Sequence, residues 1–156
     1  MQFWLMKSEP GSWSWDDQLA RGAAGEGWDG VRNHQASNNM KAMALGDLAF
    51  FYHSVNEKQI VGIVSVCALY HPDPTDESGR FGMVDVKAVK SMARPVSLAA
   101  IKADERLAEL ALVGKTSRSI QYGICCQRWE PRLVCITAQT THRVVKVSFS
   151  IHPVRC

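Results

Sequence analysis

The chain lacks any long apolar run. Its opening, Met1-Gln2-Phe3-Trp4-Leu5-Met6-Lys7, meets charge at once and is far too short to span a bilayer, so it reads as a first strand rather than a leader or an anchor. No Cys-x-x-Cys pair occurs, which argues against a zinc site or a redox motif. The five cysteines divide unevenly, with Cys67 alone and Cys125, Cys126, Cys135 and Cys156 near the end. An odd count without an export signal points to reduced thiols and a cytoplasmic protein. Cys67 sits in an apolar stretch and is expected in the core. A glycine-rich phosphate loop is missing, as is βαβ alternation, so nothing suggests a doubly wound nucleotide fold. Net charge is small, +3 over 156 residues, and does not by itself argue for a nucleic acid partner.

What is present is uneven. Trp4, Trp13, Trp15 and Trp28 fall in the first 28 residues, and only Trp129 lies elsewhere. Residues 1–110 hold 11 Lys+Arg against 14 Asp+Glu, whereas residues 111–156 hold 7 against 1. The excess positive charge therefore belongs to the tail. The length fits one domain with a real core.

Phe3–Lys7 reads as a strand stopped by Pro10 and Gly11. Ser12 or Ser14 can cap a short helix through Asp16, Asp17 and Leu19, which Gly22 and Gly25 end. Gly22–Gly27 reads as a flexible loop that delivers Trp28. Val31–Met43 is expected to be helical, with Val31, Ala36, Met40 and Met43 inward. Leu48–His53 is an aromatic strand, and Gln59–Tyr70 has the two-sided apolarity of a central strand. His71-Pro72-Asp73-Pro74 ends it; His71, Asp73 and Asp76 read as turn residues rather than metal ligands. Met83–Val89 is a further strand. Pro95 is expected to break the chain before a helix capped by Ser97 and begun by Leu98, with a second helical stretch over Asp104–Leu112. Uneven strands with short helices suggest an α+β fold built on a mixed, curled sheet or open barrel.

The segment Trp28-Asp29-Gly30-Val31-Arg32-Asn33-His34-Gln35-Ala36-Ser37-Asn38-Asn39 stands out. It crowds Arg, Asn and Gln beside a tryptophan and offers many donors and acceptors but little apolar area. That combination suits a planar, polar ligand such as a nucleobase, stacked on Trp28 and hydrogen-bonded at its edge. Asn33 and Gln35 are the favoured edge readers; Asn38 cannot share one ideal helix face with both. Trp13 and Trp15 more readily pack a helix on the sheet. Tyr52 and His53 alternate across their strand, so only one of them faces a given side.

Several motifs, in order and spacing, resemble the EVE domain of the PUA-like superfamily. They are Trp4-Leu5-Met6-Lys7-Ser8-Glu9-Pro10, Trp28-Asp29-Gly30-Val31-Arg32-Asn33 with Gln35, Ala36 and Asn38, Gly46-Asp47, Phe50-Phe51-Tyr52-His53-Ser54, Val61-Gly62-Ile63-Val64, Tyr70-His71-Pro72-Asp73-Pro74-Thr75 and Pro95-Val96-Ser97-Leu98. The resemblance covers roughly residues 2–113. It implies a PUA-like mixed β pseudo-barrel with flanking short helices, and a cleft suited to modified bases in DNA or RNA. The candidate ligand-binding set is Lys7, Ser8, Trp28, Val31, Arg32, Asn33, Gln35, Asn38, Tyr52, His53 and Ser54. No catalytic residue, metal ligand or cofactor is expected. The expected partner is DNA or RNA carrying a modified base, with no membrane and a monomeric chain, in the cytoplasm or, in a eukaryote, the nucleus.

Residues 114–156 depart from the family pattern. Arg118-Ser119-Ile120-Gln121 is a remnant of the expected final strand, but Tyr122-Gly123 stands where Pro-Val belongs, and Pro131 would break the last helix. A disturbed reading frame and a divergent end both fit this change. Two function classes follow from the whole: a binding module that captures a modified base, or a small hydrolase of the ASCH type using Lys7, Glu9 and His53 as an acid/base set. Binding is preferred, because no nucleophile–base pair stands at a recognisable spacing.

Overall fold

In the computed structural model, which describes residues 3–105 and 127–129, the apolar opening forms strand β1 (Phe3–Ser8) and lies parallel to β3 (Leu48–His53). Met6 stands beside Phe51 and Ser8 beside His53. Strand β4 (Gln59–Pro72) returns antiparallel to β3, and β5 (Gly82–Ser97) returns antiparallel to β4. The two-residue β2 (Glu26–Gly27) pairs with β5 at Asp85 and Val86, and β6 (Gln127–Trp129) pairs with β1. The order is β2-β5-β4-β3-β1-β6, a mixed sheet that does not close among the described residues.

Each face of the sheet buries its own core. On one face Trp4, Met6, Phe51, Val64, Val84 and Val86 pack beneath α1 (Trp15–Ala20) and α2 (His34–Lys41), which contribute Trp15, Ala36 and Met40. On the other, Leu5, Phe50, Tyr52, Ile60 and Ile63 pack with Ile101 of α3 (Leu98–Ala103). Burying one such large apolar side chain contributes roughly 1.5–3 kcal/mol. The alternation of β3 separates the two sets as its period of two requires: Phe51 and His53 face α1, and Tyr52 faces away. Gly62 is required beneath α1, because a Cβ there would fall 2.3 Å from the Trp15 ring.

The helices start where capping chemistry allows. Ser14 and Asp17 form a reciprocal capping box on α1, and the Ser14 hydrogen bonds hold the Asp17 carboxyl below its ordinary range. Asn33 caps α2 by accepting the Ala36 amide at 3.0 Å, so that helix begins at His34 rather than at Val31. Ser97 caps α3 as expected.

Two strands outrun the sequence expectation. β4 continues through His71 to Pro72, and β5 passes Pro95 to reach Ser97. The β4–β5 register steps from Ser91 opposite Gly62 to Val96 opposite Ile60, so the four residues Met92–Pro95 stand against Val61 alone and bulge from the ladder by three. Proline has no ladder donor to lose in such a bulge. The loop expected at Gly22–Gly27 holds a 3-10 turn (Gly22–Ala24) followed by β2. Cys67 is half-buried rather than fully interior, and burial pushes its thiol up. Most of the helix expected over Asp104–Leu112, and nearly all of the 114–156 segment, lie outside the described residues.

Candidate nucleic-acid interface

The polar segment 28–39 is built as a clamped loop leading into a helix. The Trp28 amide donates to the Val84 carbonyl at 2.8 Å, seating the loop on β5. Gly30 then turns the chain with φ +73°, in the left-handed region that favours glycine. Its amide donates to Asp73 Oδ2 at 2.9 Å, and Arg32 Nη1 reaches the same oxygen at 2.7 Å. Arg32 Nη2 donates to Thr75 Oγ1 at 2.8 Å. Asp73 is buried, and burial pushes its carboxyl up. The hydrogen bonds from Thr75, Arg32 and Gly30 more than offset this and hold it below the usual carboxylate range.

Beyond the clamp, Val31 is fully buried, and the exposed Asn33 gives its side-chain oxygen to the cap. Ala36, Ser37 and Met40 face inward. The Ser37 hydroxyl meets the Tyr70 hydroxyl at 2.7 Å, and the latter accepts the Gly82 amide at 2.6 Å, tying α2 to the β4–β5 pair. Gln35 and Asn38 are exposed, and neither has a hydrogen-bond partner among the described residues. His34 is exposed beside Phe81, with ring centroids 5.0 Å apart.

Trp28 is not an open platform. It is 3% exposed and meets Phe51 edge to face at 5.4 Å. Its Nε1–H is buried and has no partner among the described residues. The same Phe51 ring touches Trp15 at 5.2 Å and His53 at 5.7 Å, so one aromatic array runs from the clamped loop to the end of β3. Trp13 is half-buried at its margin, with the Arg21 guanidinium 5.5 Å from its ring centre.

His53 is fully engaged. Its Nε2 accepts the Trp15 amide at 3.0 Å, so the proton sits on Nδ1 and is donated to Glu57 Oε2 at 2.7 Å. This bond, with one from Gln59, holds the Glu57 carboxyl below its ordinary range. Ser8 is likewise committed: its hydroxyl donates to the Trp13 carbonyl, and its own carbonyl accepts both the Ser54 amide and the Ser54 hydroxyl, at 2.8 and 2.9 Å. Lys7 is half-buried on β1 and makes no ion pair among the described residues. Tyr52 lies in the opposite core, where burial pushes its phenol up. No hydrogen bond or ion pair joins Lys7, Glu9 and His53 among the described residues, so the acid/base set is not assembled. Trp28, Val31, Asn33, Gln35 and Asn38 thus share the loop and helix over the aromatic array, Ser8, His53 and Ser54 form its strand-end wall, and Arg32 secures the loop. Phe51 and Asp73 lie outside the sequence candidates: the sequence places Phe51 in an aromatic strand and Asp73 in a plain turn.

The family model for the EVE domain matches residues 2–124. A protein of Rhodopseudomonas palustris solved by NMR is 53% identical, with a TM-score of 0.73 over 83% of this chain and 85% of that one. A structure of human THYN1 in complex with 5-methylcytosine-containing DNA is 31% identical, with a TM-score of 0.69 over 83% of this chain and 91% of that one. In sequence, thymocyte nuclear protein 1 of Homo sapiens is 37% identical over 123 residues, which cover 64% of this chain and 55% of that protein. The chain spans about half the length of the curated relatives it matches.

Proposed function

Because the chain belongs to the EVE domain family, we propose that it is a nucleic-acid-binding module that recognises a modified nucleobase in DNA or RNA. The observation that carries this is its likeness, across most of both chains, to a protein solved with 5-methylcytosine-containing DNA. The residues present suit such a ligand. Gln35 and Asn38 offer unpaired donors and acceptors on the exposed side of α2, and Lys7 offers a cation at the end of β1. Trp28 opens the clamped loop, and its Nε1–H is a buried donor with no partner among the described residues, which a base acceptor would reach only once the loop parted over it. Pairing a buried orphan of this kind recovers about 1–3 kcal/mol, comparable with the roughly 1–3 kcal/mol of one base–aromatic stack. A methyl group in an apolar notch adds on the order of 1 kcal/mol. The hydrolase reading is disfavoured, because both nitrogens of His53 are spent on Trp15 and Glu57.

The test is a titration of the chain against duplex and single-stranded oligonucleotides, each unmodified or carrying a methylated cytosine or adenine. At least one modified base is expected to bind several-fold tighter than its unmodified counterpart, and Gln35→Ala with Asn38→Ala to shrink that ratio. Equal affinity for every base would overturn the proposal.

A further inference from the structure

The described body of the protein is acidic up to the middle of β5 and then changes sign. Residues 1–85 hold 6 Lys+Arg against 11 Asp+Glu. Residues 86–103 hold Lys87, Lys90, Arg94 and Lys102 and no carboxylate at all. All four cations are exposed, and none has an ion-pair partner among the described residues. Earlier in the chain Arg21 meets Glu26 at 2.7 Å and Arg32 meets Asp73 at 2.7 Å. The cations of residues 86–103 form a segregated group because no carboxylate lies among them in the sequence.

Their place on the sheet matters as much as their charge. β5 neighbours only β4 and the two-residue β2, and β2 covers it at Asp85 and Val86 alone. From Lys87 onward no strand pairs with its outer edge among the described residues, and Trp15 of α1 reaches the Ser91 hydroxyl at 3.0 Å. The bulge at Met92–Pro95 carries Arg94 out of the ladder, and α3 follows at once with Lys102. The other end of the same strand holds the recognition loop, through the Trp28 amide on the Val84 carbonyl. At about 3.3 Å per residue, Lys87 to Arg94 spans roughly 20 Å, or about six base steps at 3.4 Å each. Loop and cations thus share one strand, the cations starting where β2 stops; Lys87 and Lys90, beside Ser65 and Ile63, stand on its α3 side, so a backbone following them wraps the sheet edge away from Trp28.

We propose that the unpaired outer edge of β5, through Lys87, Lys90 and Arg94, carries the sugar-phosphate backbone flanking the recognised base. This inference rests on the base-binding function proposed above and adds the track along which the strand runs. Lysine and proline on an exposed edge also discourage strand-to-strand association, and the experiment separates that role from backbone binding.

The full chain and the triple variant K87Q/K90Q/R94Q are titrated by fluorescence anisotropy with a 5-methylcytosine duplex and its unmodified twin across a salt series. Each phosphate contact contributes about 0.9 to the slope of log affinity against log salt. The variant is expected to lose about 2–3 from that slope while the ratio between the two duplexes stays unchanged. In parallel, lysine acetylation of the unmutated chain is mapped with and without duplex. Lys87 and Lys90 are expected to be protected at least several-fold relative to the duplex-free chain. An unchanged slope, unprotected Lys87 and Lys90, or a variant that self-associates at unaltered slope would each overturn the backbone track. Loss of base preference in the unmutated chain would instead strike the proposed function and leave the salt slope to be judged alone.

Discussion

Arg32 Nη1 and Asp73 Oδ2 lie 2.7 Å apart although 41 residues separate them in sequence, and the carboxylate is fully buried while the guanidinium is about one-third exposed. This pair makes the loop rather than the ligand the first claim on Arg32. Asp73 gathers the Gly30 amide, the guanidinium and both donors of Thr75, so the turn after β4 holds the entry to α2. Arg32→Ala leaves the buried carboxylate short of its cation. We expect a stability loss of about 1–3 kcal/mol in urea denaturation, together with weaker binding of every oligonucleotide. Arg32→Ala that bound all oligonucleotides as tightly as the parent would show that the clamp is dispensable for the site.

Trp28→Phe tests the orphaned indole nitrogen. The ring that meets Phe51 is kept, and the buried donor without a partner is removed. Stability should change far less than the roughly 3–5 kcal/mol of a Trp→Ala truncation. Preference for the modified base should fall about tenfold, as for loss of one satisfied buried hydrogen bond. A phenylalanine variant with full preference would restrict Trp28 to packing.

Asp76 sets an acid limit on the turn that follows the clamp. It accepts from the Ser78 hydroxyl and amide and from the Phe81 amide. The Ser78 hydroxyl bond first, and the Phe81 amide second, take its carboxyl from an ordinary 3.8 down to about 2. A carboxyl lowered on folding contributes stability that is fully present above the unfolded value and lost as pH falls through the folded one. The difference in melting temperature between parent and Asp76→Asn should therefore be full above about pH 5 and shrink between about pH 4 and pH 2. A difference independent of pH would mean that the carboxylate charge plays no part.

Val55 occupies φ 60° at the exposed tip between β3 and β4, a region unfavourable for a β-branched residue. Val55→Asn or Val55→Gly should stabilise the protein by about 1 kcal/mol, read as a higher urea midpoint at unchanged slope. A lower midpoint would mean that the Val55 side chain earns its place through contacts.

Much of this architecture was legible in the chain. Capping chemistry located α1 and α3, the period of two on β3 assigned Tyr52 and His53 to opposite faces, and Val31, Ala36, Met40 and Met43 are all buried as their spacing implied. The start of α2 lies later than the spacing implies because Asn33 gives its side-chain carbonyl to the cap. Pro95 looked like a break because its bulge depends on pairing with β4, a long-range fact that local composition does not carry. Polar crowding identified segment 28–39, but long-range hydrogen bonds decided which side chains stay unpaired. Arg32 and Asn33 look alike to composition with Gln35 and Asn38, yet the first two side chains are bonded within the fold and the latter two have no side-chain partner among the described residues. The burial of Trp28 follows from Phe51, whose position over the loop depends on the parallel β1–β3 pairing.

That parallel pairing has a kinetic consequence. A parallel neighbour cannot be reached by a tight turn, so β1 meets β3 only after the chain has passed through α1, the clamped loop and α2. Such non-local closure is slow to form, and it places the recognition elements inside the crossover rather than on an appended loop. Their amides from Trp28 to Asn33 should exchange with solvent largely through opening of the sheet as a whole. The module would then lose its ligand and its fold in one cooperative event, with no population of intact sheets bearing a melted site.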